Sequence, residues 1–433
     1  MQKYAYLLII ILTLVSCSET DQIFNSEKTS NTTSGNKLAV GNTDSQILLI
    51  KDSLVPNAYD SFLYNESQNL YLNNKLKYAV KTYRITYSTI NCDGATVTAS
   101  GTAIIPQKPT NGDDYKFSVL SYQHGTKFDD ASVYNTYNDI NLYRYASAGF
   151  ITVVPDYLGY NKSGSLQHPY FVNSNSTRVV RDMISASLEF TNSQKILNNG
   201  KLFLHGYSEG ANVTIALLKS VEENPIQNYM ATFPNLTATA TLACSGAYAL
   251  VDQAAYMDSQ YVQSDVGTAA NATSLMGYMI YGFDKNIQKS GNMFNYFNSP
   301  YAQNIPGLLS GNTNAVTAAR LFGYYMSYNR NVLSSNFRTN NQNPYRINFI
   351  NFLKNNTLTT IPWGPKSLVK LKHGTIDNQV PILNSAAMYN IMRAFATDPN
   401  KITSEPLVGS HESTNTIGIF AANLLWFDQL RVQ

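Results

Sequence analysis

Charge is scarce in this 433-residue chain. Asp, Glu, Lys and Arg make up 14% of it, the formal net charge is +3, and the Lys and Arg residues form no cluster. Nucleic acid is bound by basic clusters, so the sequence indicates no nucleic-acid partner. No Cys/His spacing is typical of a metal site and no glycine loop is typical of a nucleotide site. We therefore expect neither a metal nor a cofactor.

Cysteine is almost absent as well, with three residues in the whole chain. One of them, Cys17, ends the segment "LVSC" after an apolar run at residues 4–15. That run is too short to span a bilayer and is typical of a secretory signal. "LVSC" resembles the lipobox of bacterial lipoproteins, which implies cleavage before Cys17 and lipidation of its thiol. The alternative is an ordinary signal peptide with an incidental cysteine.

The expected domain organisation begins with this segment. Residues 1–16 are predicted to be a signal peptide, and residues 17–50, rich in Ser, Thr, Asn and Gly, a flexible tether. A lipidated Cys17 would hold the protein on a membrane of the bacterial cell envelope. Ser18 gives no sign of retention at the inner membrane, so we expect the outer membrane. The other two cysteines, Cys92 and Cys244, could pair in an oxidising compartment, and their sequence spacing leaves this open.

The body of the chain alternates strand-like and helix-like segments. Residues 78–89 and 95–106 mix β-branched and aromatic residues around the turn "INCDG" and predict an antiparallel pair. Further on, "FSVLSYQ", "FITVVP", "KLFLHGY", "TATATLAC" and "SLVKLK" read as buried strands separated by helices. This order is typical of an α/β protein with a mostly parallel central sheet and helices on both faces. We assign residues 51–433 to that domain.

The alternation lapses between about residues 250 and 362. The stretch contains helix-like pieces rich in Met, Tyr and Phe, and it is too long for a plain connection. It predicts a helical cap inserted into the sheet domain, although additional core helices would also explain it. Its apolar residues could line an acyl tunnel or form only the core of the cap; those concerned are Leu275, Met276, Met279, Ile280 and Phe283.

One serine stands in a distinctive setting, "FLHGYSEGANV" at residues 203–213. Ser208 lies between Gly206 and Gly210 in a G-x-S-x-G pattern that follows an apolar strand and opens a helix. A sharp turn there exposes the hydroxyl, and flanking glycines remove Cβ atoms that would collide with the strand and helix. The backbone N–H of Glu209, at the helix start, can face a developing oxyanion. This pattern predicts a nucleophile.

A serine nucleophile needs a base, and the base needs an orienting acid. Asp377 follows a predicted strand in "KHGTIDNQVP", and His411 lies beyond it in "GSHES". The order Ser208, Asp377, His411 is that of α/β-hydrolases. Asp252 is a rival acid whose place at a helix start gives it another explanation.

The second oxyanion donor is expected from the loop "QHGT", as the N–H of Gly125 or Thr126. The remaining histidines have less specific settings. His124, His205 and Asp156 are interpreted as structural, while His168 could shape the pocket rim or have a plain loop role.

Four segments together resemble the α/β-hydrolase superfamily, and within it the secretory lipases and related exported bacterial esterases: "SYQHGT", "VVPDYLGYNKSGSLQHPYF", "HGYSEGA" and "HGTIDNQVP". The resemblance spans roughly residues 78–428. It implies a Ser-His-Asp enzyme that cleaves carboxylic esters bearing an acyl chain through an acyl-enzyme, with a cap over the acyl pocket. Glu209 departs from the small or polar residue more usual at its position. The alternatives are a serine peptidase of the same fold and a non-catalytic binding protein; the sequence leaves the oligomeric state open.

Overall fold

The computed structural model describes residues 49–55, 75–107, 116–136, 139–228, 234–328, 330–415 and 417–431. The predicted signal peptide, Cys17 and the predicted tether up to residue 48 lie outside these ranges. The last two residues of the predicted tether belong to the first strand. None of the helices within the described ranges is long and apolar enough to cross a membrane.

A nine-stranded sheet forms the centre of the described chain, in the order β1-β2-β3-β5-β4-β6-β7-β8-β9. The strands are β1 Leu49–Val55, β2 Val80–Ile90, β3 Thr96–Pro106, β4 Lys116–Gln123, β5 Phe150–Pro155, β6 Leu197–Tyr207, β7 Thr237–Cys244, β8 Leu368–Gly374 and β9 Ile402–Leu407. The predicted hairpin is confirmed, because β2 and β3 pair antiparallel from Val80↔Pro106 to Ile90↔Thr96. From β5 through β9 every neighbouring pair is parallel.

Helices connect the parallel strands and fill the long segment before β8. They are α1 Asp130–Thr136, α2 Ile140–Ser147, α3 Asn173–Ser193, α4 Glu209–Glu223, α5 Leu250–Gln263, α6 Val266–Phe283, α7 Tyr301–Leu308, α8 Ala315–Tyr328, α9 Ser335–Thr339, α10 Pro344–Asn356, α11 Leu383–Phe395 and α12 Ile417–Arg431. A π-helical turn, Asp284–Gln288, continues α6. Short 3-10 turns occur at Asn161–Ser163, Met293–Asn295, Pro399–Lys401 and His411–Asn415.

The central strands are buried on both faces, as the β6 side chains show. Phe203 packs on Phe427 of α12 with ring centroids 5.1 Å apart, and His205 packs on Phe420 of the same helix at 5.7 Å. Leu202 and Leu204 are fully buried as well, and successive side chains of a strand point to opposite faces. The predicted mostly parallel sheet with helices on both faces is therefore confirmed.

The helices α5 to α10 form the insertion between β7 and β8. They have an apolar core of their own, distinct from the core around the sheet, with Met279, Ile280, Tyr296, Phe322 and Leu353 among its fully or almost fully buried members. The predicted insertion of a helical cap is confirmed. Cys92 and Cys244 are both free thiols, so the possible disulfide between them is not formed.

An ion pair between the partly exposed Arg84 and the buried Asp156 fixes the chain after β5. Arg84 donates from Nη1 and Nη2 to the two Asp156 carboxylate oxygens, at 3.1 and 2.5 Å, and Ser100 donates to Oδ2 at 2.6 Å. Asp156 is fully buried, and the Asn161 amide also donates to it, at 3.0 Å. Asp156 thus has the structural role expected from the sequence. It ties the β2–β3 hairpin to the loop that leads towards His168.

Candidate active site

The three residues predicted to act together come from loops at one edge of the sheet. Ser208 follows β6, Asp377 follows β8 and His411 follows β9. These strands are mutually parallel, with β7 between β6 and β8, so their carboxyl ends meet at the same edge. The structure brings all three side chains into contact there.

Ser208 occupies a strained turn between β6 and α4. Its backbone has φ 57° and ψ −121°, and its N–H donates to the Cys244 carbonyl at 2.8 Å. A non-glycine residue with positive φ costs on the order of 1–3 kcal/mol, which the surrounding structure must offset. This conformation holds the hydroxyl away from both the strand and the helix.

The flanking glycines permit the backbone contacts on which this turn depends. A Cβ atom on Gly210 would lie 2.0 Å from the carbonyl oxygen of Gln123, at the end of β4. A Cβ atom on Gly206 would lie 2.2 Å from the Gly210 carbonyl oxygen and from Thr214 Oγ1. Both distances are far inside van der Waals contact, so any larger residue would push α4 off the sheet.

A continuous line of hydrogen bonds joins the three side chains. The Ser208 hydroxyl lies 2.9 Å from His411 Nε2, and His411 Nδ1 lies 2.6 Å from Asp377 Oδ2. The His411 side chain is 4% exposed and that of Asp377 is fully buried. The carboxylate can only accept at Nδ1, so Nδ1 carries a hydrogen and Nε2 is left to accept the serine proton. The arrangement therefore supports general-base activation of Ser208.

Asp377 is held by more than His411. Its Oδ1 accepts the backbone N–H groups of Gln379 and Val380 at 2.9 and 2.8 Å, and His373 Nε2 lies 3.2 Å from Oδ2. Burial alone would raise the pKa of Asp377. The hydrogen bonds from His373 and His411, with the charge of His411, outweigh burial and hold that pKa well below its usual range. The carboxylate is therefore ionised at every pH near neutrality.

The rival acid Asp252 does not occupy this position. It lies in the first turn of α5 and is exposed to solvent. An acidic residue there is favourable because the N-terminus of a helix carries partial positive charge. Its place at the helix start is the alternative explanation that the sequence offered.

The two predicted oxyanion donors lie against the serine. Glu209 is the first residue of α4, where backbone N–H groups have no intrahelical acceptor. Gly125 approaches Ser208 so closely that a Cβ atom on it would lie 3.2 Å from the serine Cβ. The side chain of the neighbouring Thr126 is engaged elsewhere, since its Oγ1 lies 2.8 Å from the Tyr170 hydroxyl.

His168 is a site residue whose contact the sequence did not reveal. It is 2% exposed, so it is not on the pocket rim, and its Nε2 lies 2.7 Å from Oε1 of Glu209. The two residues are 41 positions apart. Neither sequence periodicity nor a motif links such a pair, which meets where the loop after β5 packs against the start of α4.

The other two histidines near this edge are buried and neutral. Burial lowers the pKa of His124 to about 4, although its hydrogen bond to the Gly125 backbone opposes the shift. Burial also lowers the pKa of His205 to about 3, and its Nδ1 lies 3.2 Å from the Tyr145 hydroxyl. Both have the structural roles that the sequence suggested.

A cavity of about 360 Å³ opens over Ser208, between the sheet edge and the cap. Its lining mixes aromatic and aliphatic groups with charged and amide groups, notably Phe128, Tyr170, Met257, Leu275, Lys127, Asp139, Gln253, Asn271, Gln379 and Glu412. Of the five apolar α6 residues that could have lined a tunnel, Leu275 alone is in this lining. Met276, Met279, Ile280 and Phe283 are buried in the cap core instead. Within the described ranges, no group of three or more Cys, His, Asp and Glu residues could hold a metal ion.

The fold and this site together define a class. A serine on a strained strand-to-helix turn, followed in chain order by its acid and its histidine, is the arrangement of α/β-hydrolases. A family model described as secretory lipase matches residues 122–222, from the end of β4 almost to the end of α4. The chain thus has the α/β-hydrolase fold and resembles the secretory lipases.

Solved structures with the same fold include bacterial and fungal enzymes. The rice cell wall degrading esterase LipA from Xanthomonas oryzae is 20% identical, with a TM-score of 0.70 over 89% of this chain and 100% of its own. Candida antarctica lipase A is 17% identical, with a TM-score of 0.60 over 89% of this chain and 81% of its own. At these low sequence identities the likeness shows a shared fold only. The chain matches no curated protein.

Proposed function

We propose that this protein is an exported serine esterase that hydrolyses carboxylic esters through an acyl-enzyme. The observation that carries the proposal is the hydrogen-bonded line from Ser208 through His411 to Asp377. The secretory lipase match and the esterase and lipase among the structural neighbours support ester hydrolysis as the chemistry.

In the proposed reaction, Ser208 Oγ attacks the ester carbonyl carbon while His411 Nε2 takes the serine proton. Asp377 holds the imidazole in this tautomer and stabilises the imidazolium that forms. The N–H groups of Glu209 and of Gly125 or Thr126 donate to the oxyanion of the tetrahedral intermediate. His411 then protonates the departing alcohol. Water, deprotonated by the same histidine, attacks the acyl-serine; the acyl–oxygen bond then breaks, His411 returns the proton to Ser208 Oγ and the acid is released.

Ser208→Ala tests the nucleophile. It should lower kcat for a p-nitrophenyl ester by about 10⁶-fold, because the three residues act as a unit. A small residue fits the turn, so the melting temperature should stay near that of the wild type. Ser193→Ala, at the end of α3, is the matched control and should keep full activity. Undiminished turnover by purified Ser208→Ala would remove this serine from the mechanism.

The acid is tested by comparing two aspartates. Asp377→Asn should lower kcat by about 10⁴-fold with little change in KM, because an amide can stabilise the wrong imidazole tautomer. Asp252→Asn removes an exposed helix-start charge and should stay within about tenfold of the wild type. Both variants are measured by steady-state kinetics with the same ester. The reverse ranking would make the acid assignment wrong without affecting Ser208 or His411.

The cavity supports short acyl chains as the preferred substrates. In an apolar tunnel each added CH2 is worth about 0.8 kcal/mol, or roughly fourfold in kcat/KM. Here the lining carries Lys127, Asp139 and Glu412, and burying such groups against an alkyl chain is costly. We therefore expect kcat/KM to fall from butyrate to decanoate in a p-nitrophenyl ester series.

Two cap variants sharpen this chain-length test. Leu275→Ala, in the cavity lining, should change the chain-length profile. Met279→Ala, in the cap core, should leave the profile unchanged and lower stability by about 2–5 kcal/mol. A steady rise in kcat/KM to decanoate in the wild type would contradict the short-chain preference.

The sequence around Cys17 supports a lipid anchor in the cell envelope, most simply at the outer membrane. Cys17→Ala should move the protein from the membrane to the soluble or unprocessed fraction, and incorporation of labelled palmitate should be lost. Cys92→Ala is the matched cysteine control and should leave both unchanged. A mature Cys17→Ala protein that still fractionates with membranes would show that the anchor lies elsewhere.

A further inference from the structure

A buried carboxylate lies beside the serine, on the residue whose N–H is the proposed oxyanion donor. The side chains of Glu209 and His168 are each 1% exposed, and Oε1 of the former lies 2.7 Å from Nε2 of the latter. Oε2 of Glu209 is buried with no hydrogen-bond partner in the part of the chain that the structure describes. The negative charge of an ionised Glu209 is therefore balanced chiefly by its one contact with His168.

The hydrogen bonds fix the net charge of this pair. His168 Nδ1 lies 2.8 Å from the Leu158 carbonyl oxygen, which can only accept, so Nδ1 carries a hydrogen. If Nε2 also carries one, an imidazolium faces a carboxylate. If it does not, Glu209 is protonated and donates to Nε2. In both arrangements one proton is shared between the two groups and their summed charge is zero.

Aromatic rings exclude water from the pair. The His168 ring stacks on Tyr157, 5.7 Å away, and on Tyr278 of the cap helix α6, 6.0 Å away. Tyr160 also contacts it, and its hydroxyl bonds to that of Tyr278 at 2.6 Å. Burial raises the pKa of Tyr157, Tyr160 and Tyr170 well above the usual range, and the charge of Glu209 adds to the shift. These phenols therefore stay neutral and do not balance a carboxylate.

An unpaired carboxylate here would oppose the proposed reaction. The tetrahedral intermediate develops a full negative charge on the oxygen that faces the Glu209 N–H. Two negative charges within a desolvated site repel each other far more strongly than in water. The effect would fall on the transition state rather than on the bound ester, which is neutral, so kcat would change and KM would not.

We propose that His168 is a positioning residue that neutralises Glu209 and so keeps the oxyanion site beside Ser208 free of negative charge. This inference rests on the proposed function. It assigns His168 a role through Glu209, without contact between its imidazole and the substrate. It also explains how this chain accommodates a carboxylate directly after its nucleophile.

The test is a charge rescue with p-nitrophenyl butyrate and the full-length protein. His168→Gln removes the group that can balance an ionised Glu209, and kcat should fall about 10²-fold with KM within about threefold. Adding Glu209→Gln to that variant removes the anion while the amides can still bond to each other. The double variant should recover at least tenfold in kcat over His168→Gln. Glu209→Gln alone should lose less activity than His168→Gln.

A control separates charge from loosening of the loop. Asn286 Nδ2 donates from the cap to the carbonyl oxygens of Gln167 and His168, at 3.2 and 3.4 Å, without contacting Glu209. Asn286→Ala should keep kcat within about threefold even where its melting temperature falls. If His168→Gln fails to fold, recovery of a cooperative melt in the double variant is the corresponding rescue.

The outcomes distinguish this inference from the proposed function. A His168→Gln variant with wild-type kcat overturns the positioning role. A double variant with no higher kcat than His168→Gln overturns it as well. Where His168→Gln is unfolded, a double variant without a cooperative melt has the same meaning. In those cases the Ser208 mechanism stands as long as Ser208→Ala is inactive. If the wild type shows no Ser208-dependent ester turnover, the proposed function and this role fail together.

Discussion

Close backbone packing at the turn between β6 and α4 is the constraint on which the rest of the site depends. Gly210 rests against the Gln123 carbonyl and Gly206 against the Gly210 carbonyl, with no space for a Cβ atom at either position. This packing sets the start of α4 against the end of β4. It therefore brings Gly125 next to Ser208 and holds the serine at φ 57°. The strain in one residue is offset by the packing of the sheet and helix around it.

Most of the site could be predicted because its information is local or topological. The glycines around Ser208 report a turn that only small residues allow, and strand-end loops in a parallel sheet must share an edge. Asp377 and His411 could therefore be selected without knowing any distance. The residues of strand β9 could not be assigned from the sequence, because "ITSEPL" is half-exposed and contains Glu405 and Pro406. Edge strands commonly carry such residues, which disguise the strand pattern.

The remaining features depend on contacts that sequence patterns do not encode. The α6 helix is apolar on nearly every side, with a buried run from Met276 to Phe283. Its periodicity could not identify the face that lines the cavity. Of the five apolar candidates on this helix, the structure places only Leu275 in the cavity lining. The contact between His168 and Glu209 joins two loops of the sheet edge and has no local signature. The sequence showed that a glutamate is unusual at position 209, but it could not show that His168 contacts this side chain.

The cap therefore does more than enclose the cavity, because it also contacts His168. Its helix α6 contributes Tyr278, which stacks on His168 and bonds to Tyr160, and Asn286 just beyond that helix holds the His168 carbonyl. The Tyr278 ring covers the His168–Glu209 pair, so the cap helps to keep water from the Glu209 carboxylate. A displacement of α6 would change both the cavity lining at Leu275 and the environment of the Glu209–His168 pair. In the proposed reaction, substrate fit and transition-state electrostatics would therefore be coupled through one helix.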